Sequence, residues 1–204
     1  MTRKIAGRMA VAAALCLVMP ALAAEPNKPD SAAMTPEQQA EMEAYMKAGS
    51  PGAAHKMLAQ AEGKYDLKVK AWHVPGEPPT EDTGTATRKM TMDGRVLVEE
   101  LSSSMMGMPF KGSGMHGYDN VTGKHWSTWV DSMSTGLMVS EGTCDDQGTC
   151  TFTGTYNDAV KKAPATLRMT SRWTTPRIQV FEMYGPGPDG KETKMMEITY
   201  TRKA

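Results

Sequence analysis

Residues 105–124 read MMGMPFKGSGMHGYDNVTGK. Five glycines and four methionines share these positions with an Asp119-Asn120 turn signal. The stretch opens a long series of short, Thr-rich, Gly-punctuated runs that reaches Arg202. Its cadence is that of strands joined by tight turns, because glycine and Asp-Asn pairs supply the backbone conformations that hairpins need. Working back toward the N-terminus, Tyr65, Leu67, Val69 and Ala71 alternate with Lys64, Asp66, Lys68 and Lys70. That period of two predicts a half-buried strand. Further strands are predicted at 83–90, 95–101, 110–118, 125–131, 137–143, 150–156, 165–173, 178–184 and 193–202, which makes ten. A Pro-rich loop at 75–79, Asp93-Gly94, Gly148 and the Gly/Pro segment at 185–190 separate them.

The predicted fold class is therefore mainly β: an antiparallel up-and-down meander of about ten strands closing into a barrel. Closure removes the exposed sheet edges. A two-sheet sandwich is the competing arrangement, but its Greek-key crossovers usually need longer connections than these. A barrel of eight to ten strands is wide enough for one small ligand.

Upstream of Gly63 the pattern changes. Arg3, Lys4 and Arg8 precede an apolar run at 9–19, Pro20 breaks it, and Ala21-Leu22-Ala23 offers a signal-peptidase site. Residues 1–24 are thus expected to be a cleaved signal peptide, too short to remain as a membrane span. This implies an exported protein, periplasmic or secreted, with no integral membrane segment after removal of the leader. Residues 25–34 are a polar, Pro-containing spacer, expected to be disordered. Residues 35–62 form a helical segment. Thr35, Pro36 and Gln38 compose a helix start, Met42, Tyr45 and Met46 fall on one face, and a second helix at 53–61 is expected to bury Met57 and Leu58. The barrel domain then occupies 63–204.

Export changes the reading of the cysteines. Cys16 leaves with the leader, so Cys144 and Cys150 remain, flanking a short loop. In an oxidising compartment this pair is expected to be a disulfide. Lys+Arg and Asp+Glu balance at 23 each, and the leader holds three of the basic residues and none of the acidic ones. The exported chain is therefore slightly acidic, which argues against nucleic acid as partner.

Several runs are shared with a known family. MMGMPF at 105–110, GYDN at 117–120, STWVD at 127–131, FEMY at 181–184 and MEITYTR at 196–202 resemble the bacterial family called domain of unknown function 1579. MTPEQ at 34–38 and HKML at 55–58 fit its usual start. The resemblance implies no activity. Its strand pattern is similar to calycin-like barrels, the group of lipocalins, fatty-acid-binding proteins and haem-binding nitrobindins, which is a likeness of fold and not of function.

No Gly-x-Ser-x-Gly elbow, phosphate loop or dinucleotide fingerprint occurs, and no residue is assigned a catalytic or metal-binding role. The expected partner is a small hydrophobic or amphipathic molecule. Candidate contacts are Met106, Met108, Phe110, His116, Tyr118, Trp129, Asp131 and Glu182. His116 and Tyr118 share a strand face, as do His125, Ser127, Trp129 and Asp131, while Trp126 and Trp129 lie on opposite faces. Two alternatives compete. In one, Asp131, Glu182 or His116 does acid–base chemistry in the barrel, with Arg168 or Arg172 partnering Glu182. In the other, Met105, Met106, Met108, Met115 and His116 bind copper(I), since thioether sulfur suits that soft ion. The chain carries nineteen methionines, three of them in the leader. They scatter over the whole length, as filling of an adaptable apolar interior would have them. No cofactor is predicted. Copper and haem are the minor possibilities, haem being disfavoured by the lack of a C-terminal histidine.

Overall fold

The computed structural model describes residues 34–74, 76–187 and 190–204. The expected signal peptide, and the spacer apart from Met34, lie outside the described residues. Two helices, α1 (Pro36–Gly49) and α2 (Ala53–Ala59), precede ten strands. These are β1 (Gly63–Ala71), β2 (Thr80–Thr91), β3 (Val96–Met105), β4 (Met108–Asp119), β5 (Lys124–Asp131), β6 (Met138–Cys144), β7 (Cys150–Asp158), β8 (Ala163–Thr175), β9 (Ile178–Pro186) and β10 (Glu192–Arg202). Each strand pairs antiparallel with its sequence neighbours, and β10 pairs with β1 to close the barrel. The closing seam sets Tyr65 opposite Arg202, Leu67 opposite Tyr200 and Val69 opposite Ile198. The sandwich alternative is thereby excluded.

Residues 105–124 owe their composition to this geometry. Met105 and Met108 are cross-strand partners, and the two residues between them, Met106 and Gly107, have φ of 53° and 78°. Two consecutive positive φ values make the turn whose twist matches a hairpin. Along β4 the glycines seat tryptophans from β5. A Cβ on Gly112 would lie 2.1 Å from the Trp129 ring, and one on Gly117 would lie 2.2 Å from the Trp126 ring. Trp129 lies over the inner face and Trp126 over the outer, as the odd spacing between them requires.

The main apolar cluster sits behind the seam, where Tyr65, Leu67, Ala86, Leu101, Ile198 and Tyr200 are buried together. The disulfide joins Cys144 to Cys150, cross-strand partners at the ends of β6 and β7. α1 begins with the expected capping box: Gln38 N–H donates to Thr35 Oγ1 at 3.3 Å, and Thr35 N–H donates to Gln38 Oε1 at 2.9 Å. It buries none of its residues, so Met42, Tyr45 and Met46 stay in solvent. Its C-terminal end is tied to the barrel by Asn120, whose amide donates to the Ala48 and Ser50 carbonyls at 2.8 Å each.

α2 lies against β3 and β4 and covers part of one end of the barrel. It is shorter than expected, and its buried residue is His55. The His55 Nδ1 accepts the Gly52 N–H at 3.0 Å. Met57 and Leu58 are only half-buried because they face the lumen. Among the described residues no helix is long and apolar enough to cross a membrane.

Candidate functional site

The strands enclose a cavity of about 1050 Å³. Small-molecule sites commonly span about 300–1000 Å³. Its wall is mostly apolar: Phe110, Trp129, Phe152, Trp173 and Phe181 stand among Met105, Met138, Met169, Met183 and Met196. At one end α2 contributes Met57 and Leu58, and Gln60 and Ala61 follow just after it, beside Gln147 and the Thr175-Pro176 turn. At the other end lie Met133, Ser134, Leu137 and Asn157.

A charged cluster is built into this wall. Arg88 on β2 and Glu99 on β3 are cross-strand partners, and they are 8% and 2% exposed. Arg88 Nε donates to Glu99 Oε2 at 3.0 Å, and Tyr200 Oη donates to Glu99 Oε1 at 3.0 Å. The guanidinium also donates through Nη1 to Gln179 Oε1. It lies 4.2 Å from the centre of the Tyr200 ring and 5.2 Å from that of Tyr65. Burial by itself would raise the Glu99 pKa, but the Arg88 charge, with the Arg88 and His116 contacts, outweighs it and holds the carboxyl at about 2. Burial would lower the Arg88 pKa and Glu99 overrides that too, so it is raised. The Tyr200 hydroxyl is pushed up by burial and by the neighbouring carboxylate. The pair is thus fixed in its charged form, as a buried ion pair must be if it is to satisfy its own desolvation.

His116 stands beside the cluster. Its Nε2 is buried 3.5 Å from Glu99 Oε2 and makes no hydrogen bond among the described residues. Its cross-strand neighbour is Ser127, whose hydroxyl meets that of the buried Ser140 at 2.5 Å. Toward α2 a ladder of rings begins. Tyr118 packs 5.8 Å from His55 and 4.9 Å from His125. Burial first, then the nearby His55, lowers the pKa of His125.

Of the residues singled out from sequence, Phe110, His116, Trp129 and Asp131 line the cavity. Asp131 sits at the end away from α2 and accepts from Trp129 Nε1 at 3.1 Å and from the Met133 N–H at 2.9 Å. Tyr118 is on the inner face but packs under α2, against the two histidines. Met106 and Met108 do not reach the cavity. They sit at the hairpin turn, 70% and 48% exposed.

Glu182 is also displaced from the expected site. The β9 residues Gln179, Phe181 and Met183 line the cavity, so Glu182 shares the outer face with Ile178 and Val180. There it contacts Lys194 Nζ and accepts from Arg172 Nη1 at 3.0 Å, while Arg168 pairs with Glu192 instead. The hydrogen bond from Lys194 holds its pKa down.

The expected acid–base trio therefore does not assemble: Glu182 is outside, Asp131 is at one end, and the carboxylate beside His116 is Glu99. The proposed thioether set does not converge either, because Met115 and His116 are adjacent on one strand and face opposite ways, and Met106 is in solvent. Of the two histidines on the cavity wall, His116 turns its Nε2 to Glu99 and His125 is wedged between Tyr118 and Phe152.

Sequence reasoning overlooked Arg88, Glu99, Gln179, Tyr200 and Arg202. A signal was present: Leu97-x-Glu99-x-Leu101 puts a carboxylate on an apolar face, and Ile198-x-Tyr200-x-Arg202 does the same for a cation.

Residues 50–202 match the family described as "Protein of unknown function (DUF1579)", and the chain belongs to that family. Among curated proteins no sequence matches. The fold is similar to that of Rv2717c from M. tuberculosis, with a TM-score of 0.58 at 12% identity over 76% of this chain and 100% of that one. It is also similar to the S-type phycobiliprotein lyase CPES from Guillardia theta, with a TM-score of 0.53 at 11% identity over 78% of this chain and 97% of that one. At such identities the likeness is one of barrel architecture alone.

Proposed function

We propose that this protein is an exported carrier or receptor for a small apolar or amphipathic molecule held inside the barrel. One observation carries the reading: a cavity of about 1050 Å³, walled by methionines and aromatic rings, with a few fixed polar groups. Methionine suits such a wall, since its flexible thioether repacks around guests of different shape. Export is supported by the leader pattern at 1–24 and by the bonded Cys144–Cys150 pair, a feature of oxidising compartments. The S-type phycobiliprotein lyase has a similar barrel, and a likeness of fold at 11% identity does not extend to activity.

Native mass spectrometry of protein recovered from its own host's periplasm tests both parts. The expected result is a mature chain lacking the leader, with a mass increment that disappears on organic extraction. As a second measure, a neutral apolar dye such as N-phenylnaphthylamine should brighten on mixing with the delipidated protein. A protein that carries no increment and leaves the dye dark sinks the reading.

A further inference from the structure

We infer that the guest is a carboxylate-headed amphiphile, seated with its head at Arg202 and its tail pointing away from α2. This rests on the binding role proposed above and specifies its ligand. The charged residues of the cavity wall are Arg88, Glu99, Asp131 and Arg202. They are not spread evenly. Arg88 and Glu99 neutralise one another through a direct hydrogen bond. Asp131 lies at the end of β5, at the mouth remote from α2, where Asp82 also sits in contact with Ser104. Arg202 ends β10 at the α2 side.

Arg202 has no carboxylate partner among the described residues. Its Nη2 donates to the Gln60 carbonyl and, at 3.0 Å, to Tyr65 Oη, while its Nε is buried with no partner at all. The guanidinium stands 5.2 Å from the Trp173 ring centre and 5.6 Å from that of Tyr65. Those rings flank a half-buried guanidinium and supply no counter-charge. Arg177, which donates to the Arg202 carbonyl, is another cation, Asp66 is held by Lys203, and Glu62 accepts from the Met90 N–H.

A half-buried cation on a mostly apolar wall, with no carboxylate beside it, favours one anionic group, because an ion pair formed there meets less competing water than in bulk solvent. A carboxylate carries that single charge and matches the planar fork of a guanidinium. Gln179 stands close by, with its carbonyl oxygen already taken by Arg88, so its amide N–H groups are the part left to a guest. The acidic far mouth disfavours the reverse orientation.

The test uses the full mature chain loaded with the neutral dye N-phenylnaphthylamine, displaced in turn by laurate, lauryl alcohol and laurylamine, which differ only in the head. Laurate should displace the dye at concentrations about tenfold lower than lauryl alcohol, with laurylamine weakest, in line with one shielded charge pair. Arg202→Met, its own dye affinity measured first and used to scale the competition, should bring laurate down to the level of the alcohol. Arg202→Lys, which keeps the charge and spares the fold if the Met variant fails, should retain part of the preference. Laurate no better than the alcohol, or an advantage that survives in Arg202→Met, overturns the inference while leaving the cavity reading intact. A protein that never takes up the dye defeats the cavity reading itself.

Discussion

Two ion-pair networks occupy the two faces of one sheet, built from the same kinds of residue with different consequences. On the inner face, Arg88, Glu99 and Tyr200 are closed off, with the two charged side chains 8% and 3% exposed. On the outer face, Glu182 lies between Lys194 and Arg172, and its partners keep 29% and 45% of their side-chain surface in solvent. The inner carboxylate is held at about 2 against its own burial. The outer one is lowered chiefly by the lysine hydrogen bond. Each attraction scales with the loss of competing water, so the inner network fixes the barrel's interior and the outer one decorates its surface.

The largest expected effect is on the inner pair. Glu99→Gln leaves the Arg88 charge buried without its counterion and should cost about 3–5 kcal/mol in urea denaturation. The native carboxylate also sets a pH limb. Its folded pKa lies below the unfolded value of 4.5, so its contribution is complete above about pH 4.5 and is lost as pH falls toward 2. That limb should vanish in the variant, and a variant as stable as the parent would erase the contrast between the faces.

Next come the two glycines that seat tryptophans. Gly112→Val pushes on Trp129 inside the barrel, and should cost about 1–3 kcal/mol and reduce dye uptake. Gly117→Val pushes on Trp126, which has solvent beside it, and should cost less and leave dye uptake alone. Equal effects on binding would mean that the inner face is not the binding face.

The smallest effect belongs to the outer network. Glu182→Gln should change stability by no more than about 1 kcal/mol, and that difference should shrink further at high salt.

The barrel was legible because its strands carry a period of two and are joined by short turns. Leu67 and Val69 had to face one way and Lys68 the other, and ten such runs linked by tight connections favoured closing on themselves. The disulfide was legible from the short spacing of Cys144 and Cys150 across a hairpin loop, in a chain whose start reads as an export signal. The site was legible only in part. Alternation along β4 and β5 put His116, Trp129 and Asp131 together, because hairpin neighbours register locally. For Glu182 it grouped the residue with Ile178 and Val180 but could not say which face of β9 turns toward the barrel axis. It also failed for Met106, which a two-residue turn carries into solvent.

The amino-acid order by itself determined the count of strands, their antiparallel succession and the turns between them, since each depends on neighbours a few positions apart. Only the closed structure decided that Arg88 and Glu99 would share their inner wall with Tyr200, about a hundred residues further on. It also decided that Arg202, brought against Tyr65 by the last pairing of the sheet, would be half-buried with no carboxylate partner among the described residues. Those contacts depend on which strand face turns inward and on what the seam brings together, and burial of a charge is a property of that enclosure rather than of any local pattern.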